Sequence, residues 1–330
     1  MEQDNLVKIN HLSVSFYTHM GEVEAVRDVS FEIPRGKCVA IVGESGCGKT
    51  VTAKMLMGLA KHYGATVKEG SEILFNEKNI VNYTQKEWQE YRGGKVSMIF
   101  QDAMVSLNPT VQIGKQIAEA LQIHKKISPK DSWREVIALL EKVGIHDAEI
   151  NAKRYPHEFS GGMRQRAMIA MAIACEPLLL IADEPTTALD VTMQAQIIDL
   201  IKQLQEEKKM SVLFITHDLG IVSGMAQSIV VMYNGTIVET GNPRDIFYSN
   251  KHPYTEALLN SALRIDRGKE QTLYSIDGIP PSLINPSKGC PFAERCPYAM
   301  NICAQFKPEM QEFEKGHFAS CWKYAKEREL

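Results

Sequence analysis

The sequence predicts an α/β fold built on an open sheet, and three stretches carry that expectation. CVAIVGESGCGKTVTAKMLMGL (38–59) reads as a strand, a glycine loop and a helix. LLLIA (178–182) is a short apolar strand ending on Asp183 and Glu184, and SVLFITHD (211–218) is another that brings His217 to its carboxyl end. Unbroken apolar runs of this length fit strands buried on both faces. In open α/β sheets, ligands bind beyond the carboxyl ends of such strands.

Taken in order, LVKINHLSVSF (6–16) alternates well enough for a half-buried strand, and AVRDVSFEIPRG (25–36) gives a second. Phe16 ends the first strand before a polar loop and is a candidate for stacking on a purine, with Tyr17 as the alternative; a core or edge role fits the pattern equally well. The loop GESGCGKT, from Gly43 through Glu44, Ser45, Gly46, Cys47 and Gly48 to Lys49 and Thr50, matches GxxxxGK(S/T) at every required position. Its glycines let backbone amides turn inward onto phosphates. Lys49 adds charge, and Thr50 offers a hydroxyl to Mg²⁺.

Strand character returns at EILFNEKNI (72–80) and VSMIFQD (96–102), the latter delivering Gln101 to a loop where an amide can meet Mg²⁺ or a water. Residues 111–126 and 128–144 then read as helices, the second opened by Ser128 as N-cap and Pro129 at the first helical position. Trp133, Val136, Ile137 and Leu140 form its apolar stripe, a core feature with no chemical role. Ser160-Gly161-Gly162 opens a helix over 163–175, and a helix N-terminus with free amides suits an anion. Asp183 and Glu184 together suggest a metal ligand beside a water-activating base. PTTALD (185–190) leads through Asp190 into a helix over about 191–208, and SIVVMYNGTIVETG (228–241) reads as a hairpin turning on Asn234-Gly235.

With 330 residues and 44% hydrophobic content, the chain is long enough for one large domain and a smaller one, or for two of ordinary size. A net charge of −3 argues against nucleic-acid binding by bulk electrostatics. No apolar run reaches the roughly 18 residues of a membrane span, and MEQDNLVKIN lacks the pattern of a signal peptide. The expectation is a soluble, intracellular protein that reaches a membrane only through partners. Composition shifts near 243: seven of fourteen prolines lie beyond 250, and Cys290, Cys296, Cys303 and Cys321 cluster among them. In an intracellular chain this clustering points to metal rather than disulfides, either Zn²⁺ or an iron–sulfur cluster. The absence of CxxC pairs favours the cluster.

The order GESGCGKT, Gln101, FSGGM, LLLIADE, Asp190, His217 resembles an ABC-transporter ATPase subunit over about residues 5–245. KHPYTEALLNS (251–261), IPPSL and GCPFAERCPYAMNIC…C resemble the C-terminal extension of the dipeptide, oligopeptide and nickel importer ATPases. The resemblance implies an ABC nucleotide-binding domain over 1–245, with a RecA-like core, an antiparallel β subdomain and a helical subdomain at about 103–175. It further implies an irregular cysteine-rich extension over 246–330.

By that resemblance Lys49 and the loop amides hold the phosphates of ATP, and Thr50, Gln101 and Asp183 hold Mg²⁺ directly or through water. Glu184 polarises the attacking water, His217 contacts the γ-phosphate and Phe16 stacks on adenine. Ser160, Gly161 and Gly162 close over ATP held by an opposite subunit, and Asp190 couples the two sites. The four tail cysteines hold a 4Fe–4S cluster, with zinc as the alternative. FSGGM departs from the usual LSGGQ, since Met163 cannot make a glutamine's hydrogen bonds. Implied partners are a homologous ATPase subunit (a different one, or a second copy), two transmembrane permease subunits and an extracytoplasmic solute-binding protein, with the chain peripheral on the cytoplasmic face of the membrane.

Rival readings are import of nickel or another solute, and a non-transport ABC ATPase. A chromosome-organising ATPase needs a long coiled coil between Gln101 and Ser160, where only about 58 residues lie.

Overall fold

A computed structural model describes residues 4–187, 189–261 and 276–324. Residues 262–275 and 325–330 of the expected extension lie outside these. The chain forms two compact units. Pro34–Lys37 and Asn82–Ile215 build one; Asn5–Ile33, Cys38–Val81 and the chain from Thr216 onward build the other.

In the first unit, strands Val96–Ile99, Leu179–Asp183 and Ser211–Thr216 run parallel, with Ile181 facing both Met98 and Leu213 in register. All three are buried throughout, as their uninterrupted apolar sequences require. Helices Ile113–His124, Pro129–Lys142 and Gly161–Ile173 pack together beside them. Ser128 caps the second by accepting from the Asp131 amide at 3.2 Å, with Pro129 at its first turn. Val136 and Leu140 are buried while Trp133 and Ile137 are half-buried, so the apolar stripe is centred where its period places it.

Two boundaries move. The helix expected at 163–175 begins two residues earlier, because Ser160 is its cap, and ends at Ile173 because Glu176 turns to φ 51° before Pro177. The strand expected at 178–182 runs one residue further and takes in Asp183, paired with Ile215.

The second unit holds an antiparallel sheet in which the long strand Asn5–Thr18 lies between Gly21–Pro34 and Glu72–Phe75 and also pairs with Ala65–Val67. The stretch 72–80 is not one strand. Asn76 and Glu77 both take positive φ (48° and 63°) and fold Lys78–Asn79 back onto Leu74 and Phe75. That is the geometry of a tight hairpin turn. A further sheet orders Gln311–Glu314, His317–Ala319, Thr236–Gly241, Ser228–Tyr233 and Cys38–Val42. Its hairpin turns on Asn234 (φ 43°) and Gly235 (φ 79°), as the Asn-Gly dipeptide predicts. The tail segment thus adds two strands to a sheet begun by the strand that precedes the glycine loop. Among the described residues no helix is long and apolar enough to cross a membrane.

Candidate nucleotide site and cysteine cluster

The glycine loop joins the buried strand Cys38–Val42 to the helix Lys49–Leu56. Gly48 takes φ 104°, and a Cβ at Gly43 would stand 2.1 Å from the Met232 carbonyl oxygen and 2.8 Å from Cys47 Sγ. Only glycine fits there. The Lys49 ammonium, itself buried, donates to the carbonyls of Gly43 (2.7 Å) and Glu44 (2.9 Å), which curls the loop around its own lysine. The Cys47 thiol sits in this turn with its pKa raised, first by burial and against the pull of Lys49. It is no nucleophile; it fills space.

Phe16 is half-buried and pairs in register with Ala65, whereas the neighbouring Tyr17 ring is 66% exposed. Of the two aromatics, Tyr17 is the one with an open face. His217 is exposed just past the strand Ser211–Thr216, and Asp218 beside it caps the next short helix through the Gly220 amide.

In the other unit the Asp183–Glu184 step has a clear local cause. Asp183 remains in the strand and is buried; Glu184 turns to φ 46° while its amide still donates to the Ile215 carbonyl at 2.9 Å. The chain therefore leaves the sheet at Glu184. Gln101 Nε2 donates to Glu184 Oε2 at 3.2 Å, and Thr187 Oγ1 donates to the same oxygen at 3.1 Å. Gln101, expected to meet Mg²⁺ or a water, and Glu184, expected to polarise the attacking water, are thus in contact. Thr187 was not singled out, although its place three residues after Glu184 in a PTT turn was a readable signal.

Ser160 Oγ accepts from the Met163 amide at 3.3 Å and caps its helix, while Asp190 caps the helix Val191–Lys208 through the Met193 amide at 2.9 Å. These two helix starts are neighbours: a Cβ on Gly162 would meet Met193 Cε at 2.2 Å. Gly161 is exposed, with open space on its Cβ side.

All seven cysteines are free thiols. Cys290 donates its amide to the Cys303 carbonyl at 2.7 Å. Burial pushes the Cys290 thiol up to about 12, and the neighbouring thiols of Cys303, Cys321 and Cys296 add to the rise. The Cys296 and Cys321 thiols are likewise raised, first by burial and then by the neighbouring thiols. Even so, among the described residues no three His, Cys, Asp or Glu side chains converge to the spacing that holds a metal ion.

Comparison with known proteins agrees with this anatomy. Residues 26–187 match the ABC transporter family profile, and residues 238–303 match the oligopeptide/dipeptide transporter C-terminal region. The dipeptide transport ATP-binding protein DppD of Bacillus subtilis (strain 168) is 50% identical over 97% of this chain and 95% of its own length. The oligopeptide transport ATP-binding protein OppD of Escherichia coli (strain K12) is 46% identical over 99% of this chain and 95% of its own. A dimeric ATP-binding cassette solved in a post-hydrolysis state with ADP and Pi superposes with a TM-score of 0.65. It covers 72% of this chain and 99% of its own, at 24% identity. The cassette cbiO1 of Clostridium perfringens, part of the ABC transporter complex cbiONQ, gives a TM-score of 0.63 at 26% identity, covering 74% and 91%.

Proposed function

This chain belongs to the ABC transporter family as an ATPase subunit, and on that premise we propose that it powers uptake of dipeptides or oligopeptides through a membrane permease. The relatives named above, alike along nearly the whole chain, support the peptide class. The observation that carries hydrolysis, rather than binding alone, is Glu184: turned out of the strand and held by Gln101 and Thr187.

In this reading the loop 43–50 and Lys49 bind the ATP phosphates, and an aromatic at 16–17 stacks on adenine. Thr50, Asp183 and Gln101 supply the hard oxygen donors that Mg²⁺ prefers, and the ion when bound neutralises phosphate charge. Glu184 accepts a proton as the water oxygen bonds to the γ-phosphorus and the bond to the bridging oxygen breaks, releasing ADP and phosphate. His217 contacts the γ-phosphate. Ser160, Gly161 and Gly162 close over ATP on a homologous subunit, a different one or a second copy, and Asp190 couples the two sites. Two permease subunits and an extracytoplasmic binding protein complete the transporter, which places this chain peripherally on the cytoplasmic face of the membrane.

Glu184→Gln is expected to lower kcat at least about a hundredfold with ATP still bound; retained turnover would remove Glu184 from the role of base.

Residues 1–245 form the ATPase domain in this reading, with the helical subdomain at about 103–175, and 246–330 form the extension. Cys290, Cys296, Cys303 and Cys321 hold a 4Fe–4S cluster that staples the extension. Their shared thiol environment supports this, and convergence beyond that described above is required of them on loading. Anaerobically purified protein should contain about four iron and four sulfide per chain. About one zinc instead would make the staple a zinc site.

A further inference from the structure

The phosphate loop is gripped by the tail at one residue, Glu44. Its amide donates to the Tyr254 hydroxyl at 2.8 Å, from the helix Pro253–Ser261. Its carboxylate takes both arms of the Arg295 guanidinium, Nη1 to Oε2 at 2.7 Å and Nη2 to Oε1 at 3.1 Å. Nη1 also donates to the Tyr233 hydroxyl (3.1 Å), Nη2 to the Ile276 carbonyl (3.1 Å) and Nε to the Asp277 carbonyl (2.9 Å). All five guanidinium donors are therefore used, and the side chain is 5% exposed. The guanidinium lies 5.8 Å from the centre of the Tyr233 ring, which packs on Tyr254 (tilted, 4.5 Å) and edge to face on Phe292 (5.2 Å). Arg295 lies immediately before Cys296 and five residues after Cys290.

A planar fork with every donor engaged admits one orientation. It fixes the Glu44 side chain, Tyr254 fixes the Glu44 amide, and the Glu44 carbonyl is one of the two that hold Lys49. We propose that Arg295 is a positioning residue for ATP binding, which sets the shape of the phosphate loop through Glu44. The inference rests on the reading of loop 43–50 as the ATP site. It gives the cysteine segment a task beyond stapling: holding the arginine that preorganises the loop.

The test is a double-mutant cycle on the full chain, read by ATP turnover and by titration with a fluorescent ATP analogue. Arg295→Met is expected to raise the KM for ATP about tenfold while kcat stays within about twofold. Glu44→Gln should raise KM comparably, and the double variant no further, because both changes break one interaction. Arg295→Lys, which keeps the charge but loses the fork, should recover part of the loss. A KM for Arg295→Met within about twofold of the parent, or fully additive single effects, overturns the proposal. Should Arg295→Met fail to fold, Glu44→Gln carries the test alone, since it leaves the carbonyl contacts of Arg295 in place; unchanged affinity there is equally fatal. If the parent binds the analogue but hydrolyses no ATP, the ATPase reading fails, while the titration still decides the role of Arg295.

Discussion

Replacing Glu239 by leucine should undock the tail more sharply than any surface change. Glu239 lies on the strand Thr236–Gly241 with its side chain fully buried, and its carboxylate accepts three hydrogen bonds. His317 Nε2 reaches Oε1 at 2.8 Å, the Lys251 amide reaches Oε1 at 2.7 Å, and the His252 amide reaches Oε2 at 3.0 Å. Two of those donors, on His252 and His317, are buried; Lys251 is only half-buried and can find water. An orphaned buried donor costs about 1–3 kcal/mol, and leucine returns roughly 1 kcal/mol of apolar burial, so the net loss is about 3 kcal/mol. For a chain of 330 residues, whose unfolding entropy is about 0.7 kcal/mol per degree, that is a fall in Tm on the order of 4 °C. Glu239→Gln keeps one acceptor oxygen and should lose about half as much. Thermal melts and urea midpoints read the size, and limited proteolysis within 276–324 reads the location. A Glu239→Leu protein melting within about 1 °C of the parent would refute the reasoning, since two orphaned buried donors would then count for nothing.

Three further outcomes are expected. Gly43→Ala places a Cβ 2.1 Å from the rigid Met232 carbonyl oxygen, so nucleotide binding should be lost and Tm lowered, both measurable by titration and melting. Ser160→Asp keeps a good N-cap and therefore the Tm, but sets a carboxylate where the proposed function has a phosphate bind; turnover should collapse while the melt is unchanged. Burial holds the His252 imidazole down at about 3, with its Nδ1 accepting from the Tyr254 amide. Below pH about 6.5 the unfolded chain gains a proton that the folded one does not, so stability present at neutral pH falls by about 1.4 kcal/mol per unit. By pH 5 the loss reaches about 2 kcal/mol, and it levels off near pH 3. Denaturation midpoints of His252→Asn should lack this slope, and a parallel slope in the variant would count against the assignment.

Much of the site was legible because its requirements are local. GESGCGKT declares itself through glycines that only a tight, close-packed turn needs, and Gly43 and Gly48 meet that need. Ser128, Ser160 and Asp190 read as helix starts because a cap acts within three residues. Asp183 was expected past the end of its strand and lies within it; the break falls at Glu184, whose left-handed backbone no composition signal marks. EILFNEKNI read as one strand because Asn76-Glu77 lacks the glycine that announces most such turns.

By itself, then, the sequence determined the strand, glycine loop and helix over 38–59, the acid pair at a strand end, the helical insert, and a tail rich in thiols. Only the tertiary structure decided which charges meet. Arg295 is one of 37 basic residues and Glu44 one of 40 acidic ones, 251 positions apart, and nothing in either neighbourhood names the other. The same holds for Glu239 and His317, 78 positions apart. Hydrogen bonds and ion pairs are short-ranged and common in kind, so their partners are chosen by the path of the folded backbone. Turns and caps are completed within a few residues and can be read before the chain folds.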